Sequence, residues 1–490
     1  MPKAIIIGGG FGGIASALRM RAKGYDVKLI DRCSTLGGRA QVFKKNGFKH
    51  DAGPTIITAP YLLEELYKLF GYKLKNYIKL VPIEPWYQFK FNDGSIFNYS
   101  SSINKTLENI KDIDPRDCEG YKNLLNASKN IYDVGYTKLA DQSFHSFLFM
   151  LKQIPDLIKL KSYDSVYKMV SRYIKNEKLR KAFSIQPLLV GGNPYSTTSI
   201  YGLIHYLERA HGVYFVMGGT GKLVIELRKL MKKVGIEICL NTTIKKLIVS
   251  KKNINYALDN NNKKHLANIF VSNIDPIYLY KKVLGLEHAN YFTKIKTNYS
   301  RHSMGLFVLF FGTSKKYDNI AHHTILFGKR FKELLTDIFK NKIISDDFSV
   351  YLHRPTATDK SFAPENKDSY YALIPVPNLS ADINWDLEGI NFKNKVVNFL
   401  SKTIIPKLEE SIQSEFFMTP KDFENNYLSS FGTGFSIAPY FTQSAWFRFH
   451  NKSESIKNLY LVGAGSHPGA GIPGVLSSAK VVDKMIKKIK

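Results

Sequence analysis

The sequence predicts an α/β protein: one domain built on a parallel sheet, joined to a second domain of mixed sheet and helix. Three observations carry the prediction. "KAIIIG" at 3–8 is a short apolar run ending in glycine, followed by a glycine-rich turn and helical periodicity. "NLYLVG" at 458–463 repeats the strand-into-glycine pattern near the far end, before another amphipathic stretch. Between them, 217–249 ("MGGTGKLVIELRKLMKKVGIEICLNTTIKKLIV") reads as turn, helix and strands.

At the front, Gly8, Gly10 and Gly13 satisfy GxGxxG, "IASALRMRAKG" continues at helical spacing, and "DVKLID" at 26–31 ends a second strand in Asp31. Each residue has a physical task. Gly8 makes the tight turn, Gly10 lets the backbone approach a pyrophosphate, and Gly13 lets helix and strand pack closely. The helix start offers free N–H groups and partial positive charge. Asp31 supplies acceptors for ribose hydroxyls. The order strand, turn, helix, strand and acid makes this a Rossmann-like adenine-dinucleotide site. Arg32 beside the acid points towards NADP, but the segment that follows favours a flavin.

At the back, Gly474 begins a helix with Val475, Leu476, Ala479, Val482, Met485 and Ile486 on one face. The preceding "GAGSHPGAGIPG", with Gly463, Gly465, Gly471, Ile472 and Pro473, brings backbone N–H groups against a ligand without side-chain obstruction. "GGTGKL" at 218–223 is not a P-loop, because Leu223 stands where Ser or Thr is required.

The 490 residues allow two or more domains, and 44% hydrophobic with 13% aromatic residues indicate an ordered globular body. Cys33, Cys118 and Cys239 lie far apart and form no CxxC, so no disulfide framework or zinc site is expected; they read as buried thiols, and no metal is expected. The apolar start is too short for a signal peptide. No run reaches the length of a spanning helix, the longest being pieces such as "GLFVLFF". A formal charge of +29 suits an anionic lipid surface, or reflects a general lysine-rich bias. Nucleic acid is not an expected partner, because no module or concentrated basic stretch appears. The expected location is the cytoplasmic side, peripheral to a membrane. "SFHSFLFMLKQIPDLIKLKS" at 143–162 either lies along a headgroup surface or forms an internal helix pair.

"LGGRA" at 36–40 (Gly37, Gly38, Arg39) and "DAGPT" at 51–55 (Gly53, Pro54, Thr55) resemble the flavin-containing amine oxidase and phytoene desaturase superfamily. The tail "NLYLVGAGSHPGAGIPGVLSSAK" is similar to that of the bacterial-type phytoene desaturases, as are 188–223, 321–339, 351–379 and 442–455. The resemblance implies a glutathione-reductase/amine-oxidase type of FAD domain assembled from 1–75, 217–290 and 455–490. The segments 76–216 and 291–454 would form a domain that holds substrate and contacts membrane. It also implies FAD as cofactor, Gly38, Arg39 and the Gly53–Thr55 segment against it, and the strand around Ile244 offering backbone groups to adenine. Many members carry Glu where this chain has Asp31, which keeps the role with a shorter reach. The second glycine stretch is then the isoalloxazine end of one site, where Gly471–Gly474 start a helix that favours negative charge on the reduced ring.

By the same resemblance the expected activity is desaturation of phytoene towards lycopene, by hydride transfer from a CH2–CH2 unit to flavin N5 and loss of a neighbouring proton, with quinone or oxygen as electron acceptor. The alternatives are a desaturase acting on diapophytoene, hydroxyneurosporene or ζ-carotene, a carotenoid isomerase, and, outside enzymes, an anionic-surface binding protein. The proton acceptor is open. His467 is either a turn residue or a proton carrier, and Arg354 and Asp359, in "HRPTATD", are catalytic candidates or a structural ion pair.

Overall fold

The computed structural model describes residues 1–489. Strands β1 (Lys3–Ile7), β2 (Asp26–Ile30), β3 (Glu237–Cys239), β4 (Ile269–Ser272) and β5 (Leu459–Leu461) form one parallel sheet in the order β5-β4-β1-β2-β3. β1 reads as an unbroken apolar run because both of its faces are buried. Ala4 and Ile6 enter one core, and Ile5 and Ile7 enter the core on the opposite side.

Helices α1 (Phe11–Ala22), α4 (Gly219–Lys233) and α6 (Ile472–Met485) cover the first face with Ile14, Leu18, Leu227, Met231, Leu476 and Val482. The three-stranded antiparallel unit 244–265 covers the second with Ile244, Leu247 and Ala257. Successive strands leave β1 in opposite directions, β2 to one side and β4 to the other. That arrangement opens a crevice at the carboxyl ends of the strands, where ligands of such sheets bind.

A second sheet holds seven strands in the order 412–418, 305–313, 368–376, 350–353, 323–326, 87–90, 96–99. All neighbours are antiparallel except 323–326 with 87–90. "GLFVLFF" is the start of its strand Gly305–Thr313, every residue of which is buried, because strands flank it on both edges and side chains cover both faces. Among the described residues no helix is long and apolar enough to cross a membrane. The cysteines are free, but half-buried rather than buried: Cys118 and Cys239 sit at the rim of a core, and Cys33 lines the cavity described below.

Three further helices matter below: α2 (Phe147–Lys159), α3 (Leu203–His211) and α5 (Tyr291–Tyr299).

Candidate active site

One cavity of about 580 Å³ runs from the carboxyl ends of the parallel sheet into the space beneath the seven-stranded sheet. Its first arm is a cradle of backbone. Gly8 turns the chain at φ +97, and the first turn of α1, with Gly10 at its N-cap, has no side-chain cap, so its N–H groups are free for an anion. Gly13 leaves no room for a side chain, since a Cβ there would lie 1.9 Å from the Gly8 carbonyl oxygen. Asp31, just past β2, is buried and accepts from the N–H groups of Gly9 and Cys33, one on each carboxylate oxygen. Each oxygen retains a second lone pair for a ribose hydroxyl.

Arg39 reaches across the same arm. Its Nη2 donates to Ser429 Oγ at 2.8 Å, while its buried Nε has no partner and is left to donate to a ligand. Burial pulls its pKa down. Ile244 and Thr243 close the end near β2.

The far end of the cradle is the 463–474 loop. Gly471, at φ +91, is the N-cap of α6 and again carries no side-chain cap. The loop is held from behind by a fully buried guanidinium: Arg448 donates to the carbonyls of Ala464 (2.6 Å), Ser466 (3.2 Å) and Ile437 (3.3 Å). Asn451 adds a bond to the His467 carbonyl at 2.8 Å. Across the arm, Gly53–Thr55 is tied down by Asp51, which accepts from Thr220 N and Oγ1 at the start of α4. Thr55 Oγ1 in turn bonds Tyr351 and Tyr371, both at 3.0 Å.

Beyond Thr55 the walls become apolar: Ile185, Leu188, Ile204, Leu306, Val308 and Leu373, with Leu139, Phe144 and Leu157 further out. Within the lining, only Asp31 and Glu208 carry carboxyl groups. Glu208, on α3, accepts from the Tyr87 hydroxyl at 2.6 Å through Oε1, while its buried Oε2 has no partner. Burial pushes its pKa up to about 7, against the pull of Tyr87 and Arg209. A carboxyl group so poised exchanges a proton at neutral pH.

Gly8, Gly10, Asp31, Gly38, Arg39, Gly53, Pro54, Thr55, Ile244, Gly463, Gly471, Ile472, Pro473 and Gly474 all line the cavity, as does His467. Gly13 and Gly465 do not. Gly13 serves packing, and Gly465 turns towards Pro276 and Ser436, where a Cβ would lie 2.3 Å from the proline ring. Arg354 and Asp359 are corrected as catalytic candidates, because neither reaches the cavity and they do not pair with each other. Arg354 pairs with Asp318 (3.0 Å) and Asp368 (3.1 Å), and Asp359 accepts from Gly218 N at the start of α4. His467 is present but unsuited to carrying a proton, since burial, with the Arg448 charge beside it, pulls its pKa down to about 3. Sequence reasoning missed Glu208, Tyr87 and Arg448. The signal for Glu208 was faint: a charged residue inside the apolar "LIHYLERAHGV" stretch.

The cradle fits FAD on its own geometry: two uncapped helix starts, an acid at the end of β2, an unpartnered buried guanidinium N–H and a glycine-lined path between them. Comparison with known proteins agrees. The family model of flavin containing amine oxidoreductases matches residues 11–482. The lycopene-forming phytoene desaturase of Pantoea ananas is 43% identical over 481 residues, 98% of each chain. That of Pseudescherichia vulneris is 42% identical over 99% of each chain, and the neurosporene-forming enzyme of Rhodobacter capsulatus is 38% identical over 99% of this chain and 94% of its own. Among solved structures, putrescine oxidase superposes with a TM-score of 0.66 at 12% identity, covering 99% of this chain and 98% of its own. An oxidoreductase from Methanosarcina mazei gives 0.65 at 14%, covering 98% and 100%. These two establish the fold alone. With an FAD cradle at one end of its cavity and relatives of this similarity along its whole length, the chain belongs to the flavin-containing amine oxidoreductase family, in its phytoene desaturase branch, and is an FAD-dependent oxidoreductase acting on CH–CH groups.

Proposed function

We propose that the protein desaturates phytoene, introducing successive double bonds towards lycopene. The observation that carries this reading is the continuity of the cavity: the FAD cradle opens directly into an arm walled mainly by aliphatic and aromatic side chains, which suits a long hydrocarbon.

FAD bound in the cradle supplies the hydride acceptor, so each new double bond requires the chain to remove one proton from the carbon next to the oxidised one. Glu208 is positioned for that work. Ionised, its free Oε2 accepts the proton, and the Tyr87 hydroxyl holds Oε1 and so fixes the orientation of the carboxylate. The apolar walls exclude water and align the chain, and the neutral His467 adds shape without charge. Removing a hydride and a proton from adjacent carbons leaves the carbon–carbon double bond, and the electrons pass on to a quinone or oxygen.

The reading includes docking on an anionic lipid surface at the cytoplasmic side. α2 is apolar on two sides. Met150 and Leu157 face the cavity, whereas Phe147, Leu148, Leu151 and Ile158 are exposed. Next to it, Tyr291, Phe292 and Tyr299 of α5 are exposed too, and Trp446 bridges the helices, 4.9 Å from Phe147 and 5.9 Å from Phe292. Such a patch beside a hydrocarbon cavity, on a chain of charge +29, supports extraction of substrate from a bilayer. Basic residues near an anionic surface add about 1 kcal/mol each.

The test is reconstitution with FAD, phytoene in anionic liposomes and a quinone, followed by absorbance and chromatography. Stepwise red-shifted polyenes are expected. Bound, reoxidisable flavin with phytoene untouched would sink the substrate assignment, and parallel assays with diapophytoene and ζ-carotene identify the replacement.

A further inference from the structure

We propose that His322, His323 and His353 form a binding site for a nitrogen-preferring transition-metal ion, with Zn(II) the best-matched chemistry. The site is separate from the FAD cradle and from the apolar arm, and the inference does not depend on the substrate reading.

The backbone brings the three together by register. Strand His323–Leu326 pairs antiparallel with Val350–His353, which places His323 opposite His353, and His322 immediately precedes the strand. The rings meet in the interior, with centroids 4.5, 4.8 and 5.3 Å apart. One nitrogen from each lies within 4.8 Å of the other two. His323 and His353 are fully buried and His322 nearly so.

The hydrogen bonding is what demands an explanation. Nε2 of His322 and Nε2 of His323 have no partner, and the His353 ring meets only the His322 backbone carbonyl. An unpartnered buried polar group costs about 1–3 kcal/mol, and native interiors rarely carry several in one cluster. The outer nitrogens, in contrast, are anchored: His322 Nδ1 meets Thr358 Oγ1 at 2.7 Å, and His323 Nδ1 meets the Tyr351 hydroxyl at 2.7 Å. Fixing the outer nitrogen of a ring sets its tautomer and aims the inner one, as the supporting shell of a metal site does. A single ion within reach of the three rings would give the orphaned nitrogens of His322 and His323 a partner.

The donor set chooses the ion. Three imidazoles without a carboxylate suit Zn(II), Cu or Ni and exclude Mg(II) and Ca(II), which need oxygen. Bonds of about 2.0–2.1 Å require the rings to close together slightly, leaving a fourth position for a small ligand. The nearby Arg354 adds no uncompensated charge, because Asp318 and Asp368 both pair with it. A bound ion would clamp the two strands together and, through Tyr351 and Thr55, stiffen the wall between cradle and apolar arm.

Untagged, FAD-loaded protein is analysed for metal by plasma mass spectrometry as purified, then stripped and titrated with Zn(II) and with Co(II). One ion per chain is expected, with Co(II) giving the intense visible bands of a four-coordinate site. His353→Asn is expected to abolish the stoichiometric binding while flavin content stays constant. Thr358→Val, which keeps all three rings, is expected to weaken binding roughly 10- to 100-fold. Wild-type protein that holds less than about a tenth of an ion per chain, both as purified and after titration at micromolar metal, overturns the proposal whether or not the variants fold. Full stoichiometry retained in folded His353→Asn overturns it as well, by placing the ion elsewhere.

Discussion

At the dinucleotide end of the cavity the ligand-facing groups are backbone N–H groups from two helix starts, bared by glycine; at the apolar end they are side chains delivered by α2, α3 and the seven-stranded sheet. The two ends fail differently as a result. The cradle of backbone is least tolerant where helix packs on strand, since a Cβ at Gly13 would meet the Gly8 carbonyl. An arm of side chains tolerates changes of shape, and the chemistry proposed there turns on the protonation of Glu208.

Gly13→Val is the severest way to break the cradle. Its side chain would collide with the Gly8 carbonyl, 1.9 Å from the Cβ position, so flavin absorbance per mole of protein and the thermal transition are both expected to be lost. At the apolar end, Glu208→Gln is expected to keep its flavin and lower turnover by about 10²–10⁴-fold. In the wild type, turnover is expected to rise as pH increases through about 7, where Glu208 ionises. A flat profile across that range would remove Glu208 from the mechanism.

Arg448→Met sharpens the comparison from behind, because it tests how far the backbone cradle leans on one side chain. With the Ala464 and Ser466 carbonyls left without their donor, a loss of about 4 kcal/mol in stability and weaker flavin retention are expected, read by denaturant unfolding of the loaded protein.

Next in size is an effect of opposite sign. Glu208 has a folded pKa of about 7 against a usual value of 4.5, so the folded state holds its proton more tightly than the unfolded chain does. Its contribution to stability is therefore fully present below about 4.5 and is lost as pH rises through about 7. Glu208→Gln, permanently neutral, is expected to be more stable than the wild type by up to about 3 kcal/mol at pH 8, with the gap closing near pH 5. Paired melting curves at the two pH values check it. The smallest effect belongs to the outer surface: Leu148→Ser with Ile158→Ser is expected to leave melting and flavin content unchanged and to lower partition onto anionic vesicles by roughly tenfold in sedimentation assays.

How much of the site was legible follows from the same contrast. Gly8, Gly10 and Gly471–Gly474 were readable because a tight turn and a bare helix start are demands made within a few residues of chain. Gly465 obeys the same spacing but answers to Pro276, nearly two hundred positions earlier, so spacing alone misassigned it. Arg354 and Asp359 share one short motif yet bond to Asp318, Asp368 and Gly218, none of them in that motif. Glu208 reads locally as a solvated helix residue, and its partner Tyr87 lies 121 positions away.

By itself, then, the amino-acid order determined the parallel sheet, both glycine turns and the acid after β2, since strand burial, turn conformation and helix starts are set by neighbours in sequence. Tertiary structure alone decided that His467 stays neutral while Glu208 titrates near neutrality, and that three histidines meet with the Nε2 atoms of His322 and His323 unpartnered. The physical reason is desolvation, which depends on what distant segments bring against a group and leaves no periodic mark in the chain.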